Sequence, residues 1–172
     1  LAPELLVQPT VELAPRALII GFGRVGRLLS EMLEEHGVSH LAIEHNPSNV
    51  TPWRQRGRPV YYGDARSDYF LRQCGILQAD AVLVTINAPS AVEDIVREVR
   101  KVNPNIVIVA RARDAEHARN LYDLGATDAV PETIEASLQL AEASLVGLGV
   151  PTGLVIASIH GKRDELRHTL QG

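Results

Sequence analysis

Short, unbroken apolar runs alternate along this chain with longer stretches whose apolar residues recur every three or four positions. Ala17-Leu18-Ile19-Ile20 is the first run, and it ends in glycine. From Arg24 to His36, Val25, Leu28, Leu29, Met32 and Leu33 fall on one helical stripe, which Gly37 closes. The same pattern predicts further strands at 40–44, 59–62, 81–85, 106–110 and 128–130. Between them it predicts a turn and short helix at 47–57 and a helix ending near Cys74, then helices at 91–102, 114–124 and 131–148. Continuous apolar strands separated by amphipathic helices belong in a parallel sheet covered on both faces. Right-handed crossovers then give a doubly wound α/β fold with six parallel strands.

Both ends depart from this rhythm. Residues 1–15 hold Pro3, Pro9 and Pro15 without a clear period and read as a linker or extended arm, because proline forbids a continuing helix. Residues 16–149 make the α/β domain. Gly147, Gly149, Pro151 and Gly153 break the last long helix, and residues 150–172 form a tail. The tail suits a further helix with Val155, Ile159, Leu166 and Leu170 as its apolar positions, although Gly161 weakens its middle. Such a helix packs either on its own domain or across a dimer.

Composition narrows the function classes. With 17 Lys+Arg against 21 Asp+Glu the net charge is −4, which offers no basic face for nucleic acid. Cys74 is the one cysteine, so a disulfide framework and a cysteine-rich zinc site are excluded. No apolar run reaches the ~18 residues of a membrane span. The chain opens on Leu1 and lacks a signal-peptide pattern, as expected of a piece of something larger.

The candidate chemistry lies at the carboxyl ends of the predicted strands. Gly21-Phe22-Gly23-Arg24-Val25-Gly26 joins the first strand to the first helix. In that place Gly21 allows a tight turn, Gly23 lets a pyrophosphate approach the backbone, and Gly26 lets helix and strand pack closely. A phosphate there meets the free N–H groups and the macrodipole of the helix N-terminus. Glu44 ends the second strand, 23 positions after Gly21, where a carboxylate accepts ribose hydroxyls and repels a 2′-phosphate. NAD(H) or an adenine mononucleotide such as AMP is therefore expected over NADP(H). His45 either touches the ribose or lies exposed. Gly63-Asp64-Ala65 leaves the third strand, placed to cover an adenine; Asp64 accepts from its amino group, caps the next helix, or does both. Thr85-Ile86-Asn87 follows the fourth strand, beside the point where the strand order reverses. Arg111 and Arg113 follow the fifth, where two guanidiniums converging on a cleft make an anion site, unless they pair with Asp114 or Glu116.

Other polar residues carry less. His36 and His40 straddle Gly37 and make no helical metal pair, and His160 and His168 lack partners in the tail. Cys74 reads as a small core residue. Trp53 with Arg54, Arg56 and Arg58 reads as a solvated helix face. None of Tyr61, Tyr62, Tyr69 or Tyr122 has a lysine four residues on, no proton donor for hydride transfer stands out, and too little chain remains for a substrate domain. The sequence predicts binding without catalysis. A small NAD-dependent oxidoreductase is the alternative, which nucleotide-dependent turnover would select.

The ordered set Gly21–Gly26, Ile43-Glu44-His45-Asn46, Tyr62-Gly63-Asp64-Ala65 and Ile108 to Asp114 resembles the KTN (RCK N-terminal, TrkA-N) nucleotide-sensing domains over about residues 17–148. The Ala-Arg-Ala-Arg-Asp run and the late Gly-Leu-Gly look most like the cytosolic domains of Kef-type potassium/proton antiporters. That resemblance implies a Rossmann-like domain binding NAD(H) or AMP and forming a homodimer through its later helices. It further implies a membrane-embedded antiporter domain in the same full-length chain, attached through residues 1–15 and gated from the cytoplasmic face. A peripheral nucleotide-sensing subunit of a potassium uptake system or channel is the variant reading. In glutathione-gated members an arginine after the fifth strand helps hold glutathione, and Arg111 or Arg113 matches that region. The implied nucleotide contacts are Gly21, Phe22, Gly23, Arg24, Val25, Gly26, Glu44, His45, Gly63, Asp64, Ala65, Thr85, Ile86 and Arg111.

Overall fold

The structure, a computed structural model, describes residues 2–172; Leu1, the first residue of the segment read as a linker, lies outside the described residues. Its strands are β1 (Ala17–Ile20), β2 (His40–Glu44), β3 (Val60–Tyr62), β4 (Ala81–Val84), β5 (Val107–Ala112) and β6 (Asp128–Pro131). They form one parallel sheet in the order β3-β2-β1-β4-β5-β6. The helices are α1 (Pro3–Leu6), α2 (Arg24–Glu35), α3 (Thr51–Gln55), α4 (Asp68–Gln73), α5 (Pro89–Val102), α6 (Ala115–Asp123), α7 (Glu132–Gly147) and α8 (Thr152–Gln171). The strand order reverses between β1 and β4, which pair from Ala17↔Ala81 to Ile20↔Val84. The carboxyl ends of those two strands therefore flank the crevice in which doubly wound sheets hold ligands.

Successive strand residues feed opposite layers, as the two-residue period of a strand demands. Leu18, Ile20, Val82, Val84 and Ile108 meet Val92, Ile95, Val96 and Val99 of α5 and Leu121 of α6. Ile19, Ala42 and Val60 turn the other way, to Phe22, Leu29, Leu33 and Trp53 beneath α2 and α3. At about 1.5–3 kcal/mol per buried aliphatic side chain, these two layers supply the main drive to fold. Beyond β1 the α2 side of the sheet is open. There Leu83, Val109 and Val130 line an apolar groove of about 480 Å³ beside Val25 and Leu29.

Two local features differ from the sequence reading, and the tail forms the expected helix. The segment read as linker contains α1, one turn whose Leu5 is buried against the α3 layer. Strand β5 starts and ends later than the apolar run suggests, because pairing with β6 continues through Arg111↔Val130 and Ala112↔Pro131 after pairing with β4 stops at Ala110. Arg111 is thus a strand residue. Helix α8 continues through Gly161, whose surroundings are open. Its Val155 and Ile159 pack on Leu138 of α7, Leu170 reaches the main core, and Arg163 pairs with Glu135. The tail packs on its own domain.

Candidate functional site

The turn after β1 is shaped by what side chains cannot occupy. Gly21 has φ +104°, and a Cβ there would lie 2.6 Å from Thr85 Oγ1. A Cβ on Gly26 would lie 2.0 Å from the Gly21 carbonyl oxygen, so the first turn of α2 presses on the end of β1. Gly23 differs: a Cβ there would meet nothing within 4 Å, and its φ is −77°. The glycine that the sequence assigns to ligand approach is the one facing open space. Gly23 is also the N-cap of α2, and no side chain caps that helix. The orphan N–H groups of its first turn are left for an anion.

Glu44 lies one strand over and is only 6% exposed. Its Oε1 accepts from the Phe22 N–H at 2.9 Å and its Oε2 from the Asn46 N–H at 2.7 Å. Asn49 Nδ2 adds a longer contact to Oε1 at 3.4 Å. The carboxylate thus braces the glycine turn from behind while keeping acceptor capacity for a sugar, since an ionised carboxylate offers about four acceptor positions. His45 beside it is exposed at the rim, its Nδ1 3.5 Å from Glu44 Oε2.

Gly21, Gly23, Arg24, Val25, Glu44, His45, Thr85, Ile86 and Arg111 share one cleft of about 600 Å³. A second lobe of about 230 Å³ adjoins it through His45 and Ile86, floored by Ile20 and Ile43 and walled by Gly63, Asp64 and Ala65. Phe22 and Gly26 sit behind the cleft, where they shape the turn. Gly63 has a structural reason of its own: a Cβ there would lie 2.3 Å from the Phe70 ring of α4. Asp64 does not cap α4, because Ser67 takes that place with Oγ accepting from the Phe70 N–H. Asp64 instead accepts from the Arg66 N–H and guanidinium, and the Arg66 side chain above all holds its carboxyl below the usual range.

Thr85 is buried and ties the turn to β4, its hydroxyl donating to the Ile20 carbonyl at 3.0 Å. Its own carbonyl accepts from Arg111 Nη1 at 3.0 Å, and the Arg111 guanidinium also pairs with Glu132, the first residue of α7. Arg113 does not converge with Arg111: it is 65% exposed and pairs with Asp114. Two residues apart on a strand they would share a face, but β5 ends at Ala112 and the chain turns before Arg113. Sequence reasoning left Asn49, Glu132 and Arg66 out of the site. A polar residue in a turn carries no local mark of which cleft it faces. Buried His117 was also passed over; its Nδ1 accepts from the Arg113 N–H and its Nε2 lies 3.1 Å from the Pro89 carbonyl oxygen.

The remaining residues have structural roles. His40 bonds Ser30 and the Val38 carbonyl, and no cluster of potential metal ligands occurs among the described residues. The Trp53 ring, read as part of a solvated face, packs edge-on to Phe22 between the Arg27 and Arg56 guanidiniums. Cys74 is fully buried, and desolvation pushes its thiol up to about 12. Alkylation followed by mass spectrometry at pH 8 is expected to leave Cys74 unmodified in the folded chain and label it fully in denaturant.

The model of the TrkA-N domain family matches residues 17–132. The chain is 38% identical over 151 residues to K(+) efflux antiporter 1, chloroplastic, of Arabidopsis thaliana, covering 88% of this chain and 13% of that protein. It is 32% identical over 136 residues to the glutathione-regulated potassium-efflux system protein KefC of Cronobacter sakazakii (strain ATCC BAA-894), covering 79% and 22%. It therefore spans less than a quarter of the length of these relatives. Among solved structures, the Shewanella denitrificans Kef CTD in AMP bound form is 28% identical with a TM-score of 0.75, covering 90% of this chain and 94% of that one. GsuK bound to ADP is 30% identical with a TM-score of 0.65, covering 77% and 36%.

Proposed function

The chain belongs to the TrkA-N domain family, and from that premise we propose that it is a regulatory domain that binds an adenine nucleotide and gates potassium/proton exchange by a membrane antiporter. The observation that carries this reading is the pairing of an uncapped helix N-terminus over open Gly23 with the buried Glu44 carboxylate one strand away. A phosphate fits the first and a ribose the second. The apolar lobe beside Asp64 suits an adenine. AMP and NAD(H) both satisfy these groups. The similarity to the AMP-bound Kef domain and to potassium-efflux antiporters supports both the ligand class and the attached partner.

In this reading the membrane domain lies in the same full-length chain, with residues 1–15 leading from it, and the regulatory domain sits on the cytoplasmic side. No helix among the described residues is long and apolar enough to cross a membrane. The domain acts by binding, without turnover. A homodimer supplies the two arrangements a switch needs. The open sheet face, with exposed Leu140 and Leu148 on and just after α7, gives it apolar surface to bury. Nucleotide must favour one arrangement over the other, since equal affinity shifts nothing. A difference of ~1–3 kcal/mol suffices for ordinary allosteric coupling.

Calorimetric titration of the chain with AMP, ADP, NAD and NADH tests the binding step. Saturable binding is expected, and Gly23→Ala is expected to weaken it at least tenfold while lowering the denaturation midpoint only by the modest cost of alanine for glycine at an N-cap, because the new methyl meets no protein atom and fills the ligand's space. Unaltered affinity in that variant would overturn the assignment, and nucleotide-dependent turnover by the wild-type chain would select an oxidoreductase.

A further inference from the structure

We propose that Arg111 is the residue by which this crevice distinguishes a one-phosphate adenylate from a ligand with a second phosphate, and that Glu132 sets how strongly it does so. This rests on the nucleotide reading above and adds a selectivity to it. Glu44 ends β2, the glycine turn follows β1, Thr85 follows β4 and Arg111 stands near the end of β5, so these groups cross the crevice in that sequence. Neighbouring strands lie about 4.8 Å apart, which puts the strand of Arg111 about 10 Å beyond that of the glycine turn. An adenosine seated between Glu44 and Asp64 leaves its first phosphate at the start of α2. A ligand extending past that phosphate reaches toward the Arg111 guanidinium, which comes back over β4 to the Thr85 carbonyl.

The guanidinium is held for such a role. Arg111 lines the cleft with its side chain 25% exposed, anchored by Nη1 to the Thr85 carbonyl at 3.0 Å and by Nε to Glu132. A guanidinium has five N–H donors in a planar fork, so these two contacts leave donors for a phosphate. Arg24 lines the same cleft from the first turn of α2, next to the glycine turn itself. Glu132 is the counterweight. Its side chain is 43% exposed, and it partly neutralises Arg111 whenever the second phosphate site is vacant. A second phosphate therefore competes for, or shares, the Arg111 guanidinium with a carboxylate that belongs to the first turn of α7. Ligand length is thereby coupled to the start of the helix that leads away from the sheet.

The test is calorimetric titration of the wild-type, Arg111→Met and Glu132→Gln chains with AMP and with ADP, with denaturation midpoints measured alongside. Arg111→Met is expected to weaken ADP about tenfold more than it weakens AMP, the ADP/AMP affinity ratio being the readout. Glu132→Gln removes the competing charge while keeping a side chain of similar size, and is expected to tighten ADP several-fold relative to AMP. Equal losses for AMP and ADP in Arg111→Met would overturn the proposal, reducing Arg111 to a brace for Thr85, as would an unchanged ADP/AMP ratio in both variants. Failure of the wild-type chain to bind either nucleotide would instead overturn the nucleotide reading itself.

Discussion

Alanine at Gly26 is expected to destabilise the fold by about 3 kcal/mol or more, at the upper end of overpacking costs, and to abolish nucleotide binding. The added Cβ would lie 2.0 Å from the Gly21 carbonyl oxygen and 2.9 Å from its carbon, both backbone atoms. Neither side yields readily. Gly21 is held by its N–H donating to the Ile43 carbonyl at 2.8 Å. Its carbonyl also lies 3.2 Å from the buried Thr85 hydroxyl. Relief requires α2 to move off β1, which removes the helix N-terminus from the place where a phosphate would sit. Chemical denaturation and calorimetry on the same preparation check both halves. A wild-type midpoint in Gly26→Ala would show that the helix and strand are not in the close contact described. The contrast with Gly23→Ala is the sharper test, because there the affinity falls while the midpoint drops only by the smaller N-cap cost.

The second large effect is expected at Glu44. Glu44→Ala removes the acceptor of two backbone N–H groups, those of Phe22 and Asn46. At about 1–3 kcal/mol for each orphaned buried donor, the loss is about 2–4 kcal/mol, with the Asn46 N–H at the low end because it is partly open to water. Affinity for adenine nucleotides is expected to fall with it, since the turn loses its brace and the ribose its acceptor. Glu44→Gln separates the two contributions. Its amide keeps one acceptor oxygen but presents an NH2 to the other N–H, so it is expected to lie between wild type and alanine in stability. A Glu44→Ala chain with unchanged midpoint and unchanged affinity would remove this carboxylate from the site. The two positions are coupled through the same turn, so their effects are not expected to add.

The legible parts of this site are those whose constraint is local. A glycine that needs positive φ, such as Gly21 at +104°, is visible because its neighbours in sequence are a strand and a helix. Glu44 is visible because the length of one βα unit places the next strand end at a set distance from the turn. Gly63 stands out in sequence as part of a motif, but its reason does not, because the Phe70 ring that excludes a side chain there arrives with α4. The same holds for the N-cap of α4. Asp64 and Ser67 are both good capping residues, and the choice of Ser67 follows from where the helix starts, with Asp64 already engaged by Arg66.

What the sequence determined by itself was the layered architecture and the position of its crevice. The two-residue and 3.6-residue periods are properties of neighbouring positions, and right-handed crossover is a property of the backbone. Which polar groups meet depends on packing between distant segments. Arg111 finds Glu132 and Thr85, residues 21 and 26 positions away, while Arg113, two positions on, turns to Asp114. Helix α8 lies along α7 and α6, with Leu170 completing the main core. Those outcomes depend on where a strand ends and how far its pairing with a neighbour continues, which is settled by the energy of the whole packed sheet and leaves no periodic trace in the residues concerned.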